Sequence, residues 1–254
     1  MQKLPASTGW AWVKEGFALF RKQPFEMSTL FLSYMFLMLA IGLLPGLGQV
    51  LPLLLVPVFS MSFMQACVNI EQDRKVYPNL LLVGFRSPAL PNLMKLGFLY
   101  LLAAVLAIAA SSLVDDGIFA GIMSGKQELD TDTLRDSNVS FAMIFAAAVY
   151  TPAAMAFWYA APLVMWQKMG VFKAIFYSFF AVQRSGRAFL VYGLAWMLIG
   201  VLLPAVASTL VAVVFGRAIV MVLLLLPLSL VMTVVMYCSF YPTYTTIFGR
   251  PEPS

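Results

Sequence analysis

The chain has 254 residues, 62% of them hydrophobic and only 11% charged, with a formal net charge of +5 and no histidine. So few polar side chains cannot clothe a water-soluble domain of this length, which excludes an ordinary soluble globule. The missing imidazole excludes histidine haem ligation, zinc–histidine sites and histidine base catalysis.

The first segment, Lys3 to Lys22, is aromatic and cationic. Trp10, Val13, Phe17 and Phe20 recur at three- and four-residue spacing, which predicts one apolar helical face, with Lys14, Arg21 and Lys22 turned away from it. Such a helix is expected to lie in the membrane interface rather than cross it. No short apolar core with a small-residue cleavage site precedes the first long apolar run, so that run is expected to remain as an anchor.

Six segments then meet the requirement of roughly 20 apolar residues per crossing: 26–44, 50–70, 92–113, 139–166, 188–215 and 218–240. The fold class this predicts is all-α, a polytopic bundle of six transmembrane helices forming one integral membrane domain over 1–254. In the third and fourth spans Ala103 and Ala107, Ala142 and Ala146, and Ala156 and Ala160 are each four apart, which permits close backbone approach. On that pattern the middle hairpin is expected to be the packed centre. Between those spans lies a non-cytoplasmic loop, 111–140, with acids at Asp115, Asp116, Glu128, Asp130, Asp132 and Asp136, read as a charged, solvated segment. A second amphipathic stripe, Phe172, Ile175, Phe176 and Phe179 flanked by Lys168, Lys173 and Arg184, precedes the fifth span.

This layout sorts the charges. Thirteen of the sixteen Lys and Arg fall on the side of the N-terminus, with five acids; Lys126, Arg135 and Arg217 fall on the other, with six acids. Cationic loops are retained in the cytoplasm, so both termini are expected there. The basic residues occupy short loops beside the membrane rather than a domain, which points to anionic phospholipid headgroups rather than nucleic acid. The residues expected to contact lipid or a partner are Trp10, Lys14, Phe17, Arg21, Lys22, Arg86, Lys173, Arg184 and Arg187, the partner being a membrane protein or a second copy of the chain.

Three units recur, at about 8–73, 76–168 and 169–249. Each opens on an aromatic, cationic stretch ending in a helix breaker: Gly16-Phe-Ala-Leu-Phe-Arg-Lys-Gln-Pro24, Gly84-Phe-Arg-Ser-Pro88 and Phe179-Phe-Ala-Val-Gln-Arg-Ser-Gly186. Each return span carries a proline, Pro57, Pro152 or Pro227. The expected architecture is therefore three hairpin repeats with interfacial amphipathic helices on the cytoplasmic side, kinked at those prolines.

No Asp, Glu, Lys or Arg occupies the central turns of a span, which argues against a charge-coupled pump or ion channel. No serine stands beside an activating Lys, and no phosphate-cradling lysine loop occurs. Catalytic, cofactor and metal residues are accordingly expected to be none. Cys67 and Cys238 lie near the cytoplasmic ends of their spans, where a structural disulfide is not expected. The sixteen methionines read as adaptable packing residues.

The stretch Trp10-Ala-Trp-Val-Lys-Glu-Gly-Phe-Ala-Leu-Phe-Arg-Lys-Gln-Pro24 resembles the opening of a family of uncharacterised six-span proteobacterial inner-membrane proteins with the pattern Glu-Gly-(aromatic)-x-x-Phe-Arg-x-x-Pro. It is more distantly similar to the membrane domain found beside some glycerophosphodiester phosphodiesterases. The resemblance implies a bacterial inner membrane and a multispan helical fold, and no activity carries over. The expected function is a non-catalytic one, as an accessory subunit of a membrane complex or a factor that handles lipid or envelope components. The alternative is a transporter of an uncharged or amphipathic solute, which would show a cavity bounded by Pro57, Pro152 and Pro227.

Overall fold

The computed structural model describes residues 3–48, 50–124, 138–206, 208–209 and 218–251. Lys126, Arg135, Arg217 and the acids Glu128, Asp130, Asp132 and Asp136 lie outside the described residues. The described chain is helical, without strands: α1 (Ser7–Lys22), α2 (Pro24–Gly42), α3 (Leu51–Glu71), a 3-10 turn (Pro78–Leu82), α4 (Val83–Arg86), α5 (Leu90–Asp115) and α6 (Ile118–Met123). There follow α7 (Val139–Phe157), α8 (Ala160–Met165), α9 (Val171–Arg184), α10 (Gly186–Met197), a π-helical turn (Leu198–Leu202) and α11 (Ala218–Phe248). Six stretches are long and apolar enough to cross a membrane: Pro24–Gly42, Leu51–Glu71, Leu90–Asp115, Val139–Met165, Gly186–Val206 and Leu225–Phe248. These are spans 1 to 6 below.

Span 2, not the middle hairpin, forms the centre. Over half of its apolar window is buried, 56%, against 17% for each of spans 3 and 4. Its buried side chains include Val58, Phe59, Met61, Phe63, Cys67 and Ile70. The alanine pattern does act as expected locally, because Ala107, Ala142 and Ala146 are buried where α5 meets α7. It makes a tight pair, but that pair leaves its outer apolar faces exposed. The close approach continues onto span 2 at Gly97, where a Cβ would collide with the Leu54 carbonyl oxygen.

The N-terminal helix is a packing element. Its buried face is Gly9, Trp12, Val13, Gly16 and Leu19, offset from the stripe expected from Trp10, Val13, Phe17 and Phe20. Trp10 is exposed at 48% while Trp12 is fully buried. The reason is a run of contacts crossing three spans in turn. Gly9 meets Ala188 and Tyr192 of span 5, and Trp12 packs on Phe189 and Tyr192 while donating its indole N–H to Thr246 of span 6 at 3.0 Å. Gly16 then sits on Ser239 of span 6, and Lys22 reaches the Val68 and Glu71 end of span 2. Below the strap, Tyr192 and Ser239 share a 2.7 Å hydroxyl hydrogen bond that ties span 5 to span 6. The turn after α1 is fixed by Gln23, whose amide donates to the Arg74 carbonyl at 2.8 Å and accepts from the Val76 N–H at 3.0 Å.

Pro57, Pro152 and Pro227 lie inside continuous helices. The interruption of span 4 falls instead between Phe157 and Ala160, before Pro162. A proline removes the N–H that would bond the carbonyl four residues earlier, and at Pro162 that carbonyl belongs to Trp158. Span 6 also runs past its expected end at Phe240, through Pro242, to Phe248. There the carbonyl that Pro242 leaves unbonded, on Cys238, faces the Cys67 thiol at 3.9 Å. Both cysteines are buried and free, as expected. The acidic loop begins differently from the solvated segment expected: Asp115 is buried, and its carboxylate accepts the N–H groups of Gly117 at 3.1 Å and Phe119 at 2.6 Å, capping the apolar α6.

Candidate functional site

The cations expected at the membrane surface are all exposed: Lys14, Arg21 and Lys22 on α1, Arg86 on α4, Lys173 and Arg184 on α9, and Arg187 at the start of α10. Among the described residues the one ion pair is Arg250 with Glu71, at 3.4 Å, so none of these seven is neutralised by a carboxylate there. Phe17 departs from the expectation, since it is half-buried and stacks on Trp196 at 6.3 Å instead of facing outward.

On α1 the outward positions are Trp10, Lys14, Glu15, Ala18, Arg21 and Lys22, one face at helical spacing with one acid among its three cations. On α9 the small residues Ala174, Ser178 and Ala181 are buried and the aromatic ones are not. Phe172 is 80% exposed and Phe176 61%. Lys173, Tyr177, Phe180 and Arg184 fall on the same side, with the Lys173 ammonium 5.8 Å from the centre of the Tyr177 ring. Phe176, Tyr177, Phe180 and Arg184 line a groove of about 430 Å³. The expected stripe had Ile175 and Phe179 in it; both are half-buried, because the helix turns its narrow, small-residue side to span 4.

A polar cluster missed by sequence reasoning lies where spans 2 and 6 end together. Glu71 accepts the Tyr241 hydroxyl at 2.8 Å and pairs with Arg250, and Lys22 and Gln72 line the same cavity of about 410 Å³. Burial, and secondly the charge of Glu71, push the Glu15 carboxyl above its usual range. The cluster joins residues 170 positions apart and has no local signature.

The interruption of span 4 opens a second cavity, of about 350 Å³, lined by spans 2, 3, 4 and 6 and open on one side. Its lining has no charged residue and is dominated by aromatics, including Phe63, Tyr100, Tyr150, Phe157, Trp158 and Phe240. Tyr100 and Phe157 pack at 4.3 Å, Phe63 and Tyr237 at 4.4 Å, and Trp158 and Phe240 at 4.5 Å. The broken backbone is held by side chains. Tyr100 donates its hydroxyl to the Phe157 carbonyl at 2.9 Å; Ser178 donates to the Met155 carbonyl and accepts the Tyr159 N–H, both at 2.9 Å. Tyr159 in turn donates to the Thr243 carbonyl at 3.1 Å. The transporter alternative called for a cavity bounded by Pro57, Pro152 and Pro227; this one borders Pro162 and none of those three. Among the described residues no group of His, Cys, Asp or Glu is placed to hold a metal ion.

No family model matches the chain, and no solved structure matches it. It is similar to a probable inner membrane protein of Burkholderia thailandensis, 36% identical over 256 aligned residues that cover 99% of this chain and 94% of that one.

Proposed function

We propose a function from one premise: the chain belongs to the family of that probable inner membrane protein. It is a non-catalytic protein of the bacterial inner membrane that handles lipid or envelope components, with both termini cytoplasmic. The observation that carries this reading is the pair of outward faces, α9 with exposed aromatics among its cations and α1 with Trp10, Lys14, Arg21 and Lys22, none of whose cations is in an ion pair among the described residues. Aromatic rings at headgroup depth beside Lys and Arg suit an anionic lipid surface. A role as transporter of an uncharged solute is the second reading, favoured by the charge-free cavity in span 4.

The repeat belongs to the same proposal. What supports it is a recurring packing: α9 lies on span 4, the 3-10 turn and α4 lie on span 2, and α1 lies on span 6. Each pre-span element thus covers the return span of the unit before it, and α1 closes the ring.

Replacing Arg21, Lys22, Arg184 and Arg187 together with Gln should reduce the anionic phospholipid that co-purifies with the protein and flatten the salt dependence of what remains. Native mass spectrometry over a salt series reads both. Unchanged lipid retention would remove the headgroup reading and leave those residues as orientation signals alone.

Orientation has its own test. Cysteines placed at Gly125 or Ser137, which lie outside the described residues, should react with an impermeant thiol reagent in whole cells, and one at Gln72 should not. Labelling at Gln72 alone would mean the chain is inverted. The buried Cys67 and Cys238 leave a low background.

A further inference from the structure

We infer that the cavity where spans 2 and 6 end together binds the headgroup of a phospholipid that carries both a phosphate and a primary ammonium, the phosphoethanolamine class. This site is distinct from the outward faces of α1 and α9, which suit anionic lipid, and shares only Lys22 with them.

The walls place it at headgroup depth. Span 1 begins at Pro24, just after Lys22, and spans 2 and 6 end at Glu71 and Phe248. Lys22, Glu71, Tyr241 and Arg250 therefore gather where apolar helix gives way to polar chain. At about 410 Å³ the space lies within the roughly 300–1,000 Å³ typical of small-molecule sites. It is open on one side, and Val68 and Pro251 form the apolar part of its wall. A lipid reaches such a place without leaving its own leaflet.

The ligand class follows from the charges that line the space. Glu71 supplies the negative side. Tyr241 donates to its Oε2 at 2.8 Å, and Arg250 meets the same carboxylate through Nε at 3.4 Å and Nη2 at 3.5 Å. The contacts from Arg250 are long and its side chain is 78% exposed, so Glu71 keeps capacity for a further donor. Glu15 adds negative charge nearby: burial first, and the charge of Glu71 second, push its carboxyl above the usual range. It has no ion-pair partner among the described residues, and a ligand ammonium at Glu71 relieves the repulsion between the two acids. Lys22 supplies the positive side, an exposed ammonium without a carboxylate partner among the described residues. With the outer edge of the Arg250 guanidinium it suits a phosphate.

A purely anionic headgroup would meet Glu71, and a purely cationic ligand would meet Lys22 and Arg250. One ligand carrying both signs matches both sides. Ethanolamine is selected over choline because only the primary ammonium has N–H groups to give to Glu71. Tyr241 fixes that carboxylate before the ligand arrives, so little side-chain freedom is lost on binding.

The test is native mass spectrometry of the full-length protein with three lipids of identical dioleoyl chains: phosphatidylethanolamine, phosphatidylcholine and phosphatidylglycerol. One saturable phosphatidylethanolamine per chain is expected, held about tenfold or more tighter than phosphatidylcholine. Glu71→Gln keeps the shape and removes the charge; it should abolish that preference and hold phosphatidylglycerol no more weakly than the parent does. Asp73→Asn removes an exposed acid outside the cavity and should leave the preference intact. Lys22→Gln should weaken phosphatidylethanolamine by about two- to tenfold and keep its preference over phosphatidylcholine, since both lipids carry the phosphate. O-phosphoethanolamine, which has the same two groups without acyl chains, should not displace the lipid even in large excess; full displacement would assign the cavity to a soluble ester and overturn the lipid assignment. Equal retention of phosphatidylethanolamine and phosphatidylcholine by the parent, a preference that survives Glu71→Gln, or one lost equally in Asp73→Asn would each overturn the inference. The comparison in the parent needs no variant, so it decides even where Glu71→Gln fails to fold. Unchanged phosphatidylglycerol retention in the four-residue Gln variant would remove the reading of the α1 and α9 faces and leave this preference standing.

Discussion

Gly16→Leu should undock the N-terminal helix. A Cβ at that position would stand 2.5 Å from the Ser239 Cβ and under 3 Å from the Ser239 Cα and N. Two of those three atoms are backbone of span 6, so no rotamer change makes room. Overpacking that side chains absorb costs about 1–3 kcal/mol, and here whole helices must move, so the upper end of that range or more is expected. The strap would lift from Ser239, with two consequences. The Trp12 bond to Thr246 is lost, and Cys238, one residue from the contact and fully buried, becomes reachable. A membrane-permeant maleimide should therefore modify Gly16→Leu faster than the parent, with a lower thermal midpoint in detergent. Gly193→Leu is the matched control, because nothing lies within 4 Å of its added Cβ. Equal reactivity of the two variants would show that α1 is not held at Gly16.

What the sequence disclosed, and what it hid, divides by the range of the information. Each span needs only an unbroken apolar run, and all six appear close to where hydropathy puts them. Exposure of Lys14, Arg21, Lys173 and Arg184 was also legible, since a cation on an amphipathic helix has one low-energy side to face. Choosing between Trp10 and Trp12 was not. The two differ by two positions on the same helix, and the choice rests on Ala188 and Tyr192, which seat Gly9, on Ser239, which seats Gly16, and on Thr246, which bonds Trp12, all more than 170 residues away in sequence. Small residues announce close approach without saying to what: the alanines of spans 3 and 4 pair with each other, while Gly97 presses span 3 onto span 2, and burial follows the latter. Proline was the least informative signal. Pro57, Pro152 and Pro227 are carried inside helices, whereas Pro162 marks the true interruption, because side chains from spans 3 and 5's leading helix are at hand there to take over backbone hydrogen bonds. Those donors are supplied by tertiary structure, so the cavity they support could not be placed from the fourth span alone.

Ser178 is the side chain on which that support turns, and Ser178→Ala should loosen the broken segment without unfolding the bundle. The hydroxyl is fully buried on α9 and makes two hydrogen bonds with span 4, giving one to the Met155 carbonyl and taking one from the Tyr159 N–H. Alanine fits the space but leaves a buried backbone N–H and a carbonyl short of a partner. Stranding the N–H costs about 1–3 kcal/mol, more than most single surface changes, and in a lipid-surrounded bundle no bulk water is present to recover it. Amide exchange should rise around Tyr159 to Met165 while spans 2 and 3 keep their protection, since they pack extensively on each other. Ser33→Ala removes only an exposed bond to the carbonyl one turn back, and should leave exchange at the parent level. If exchange in Ser178→Ala stays at the parent level, the interruption is held by Pro162 and Tyr100 alone, and α9 is free to move against span 4 without consequence for the cavity.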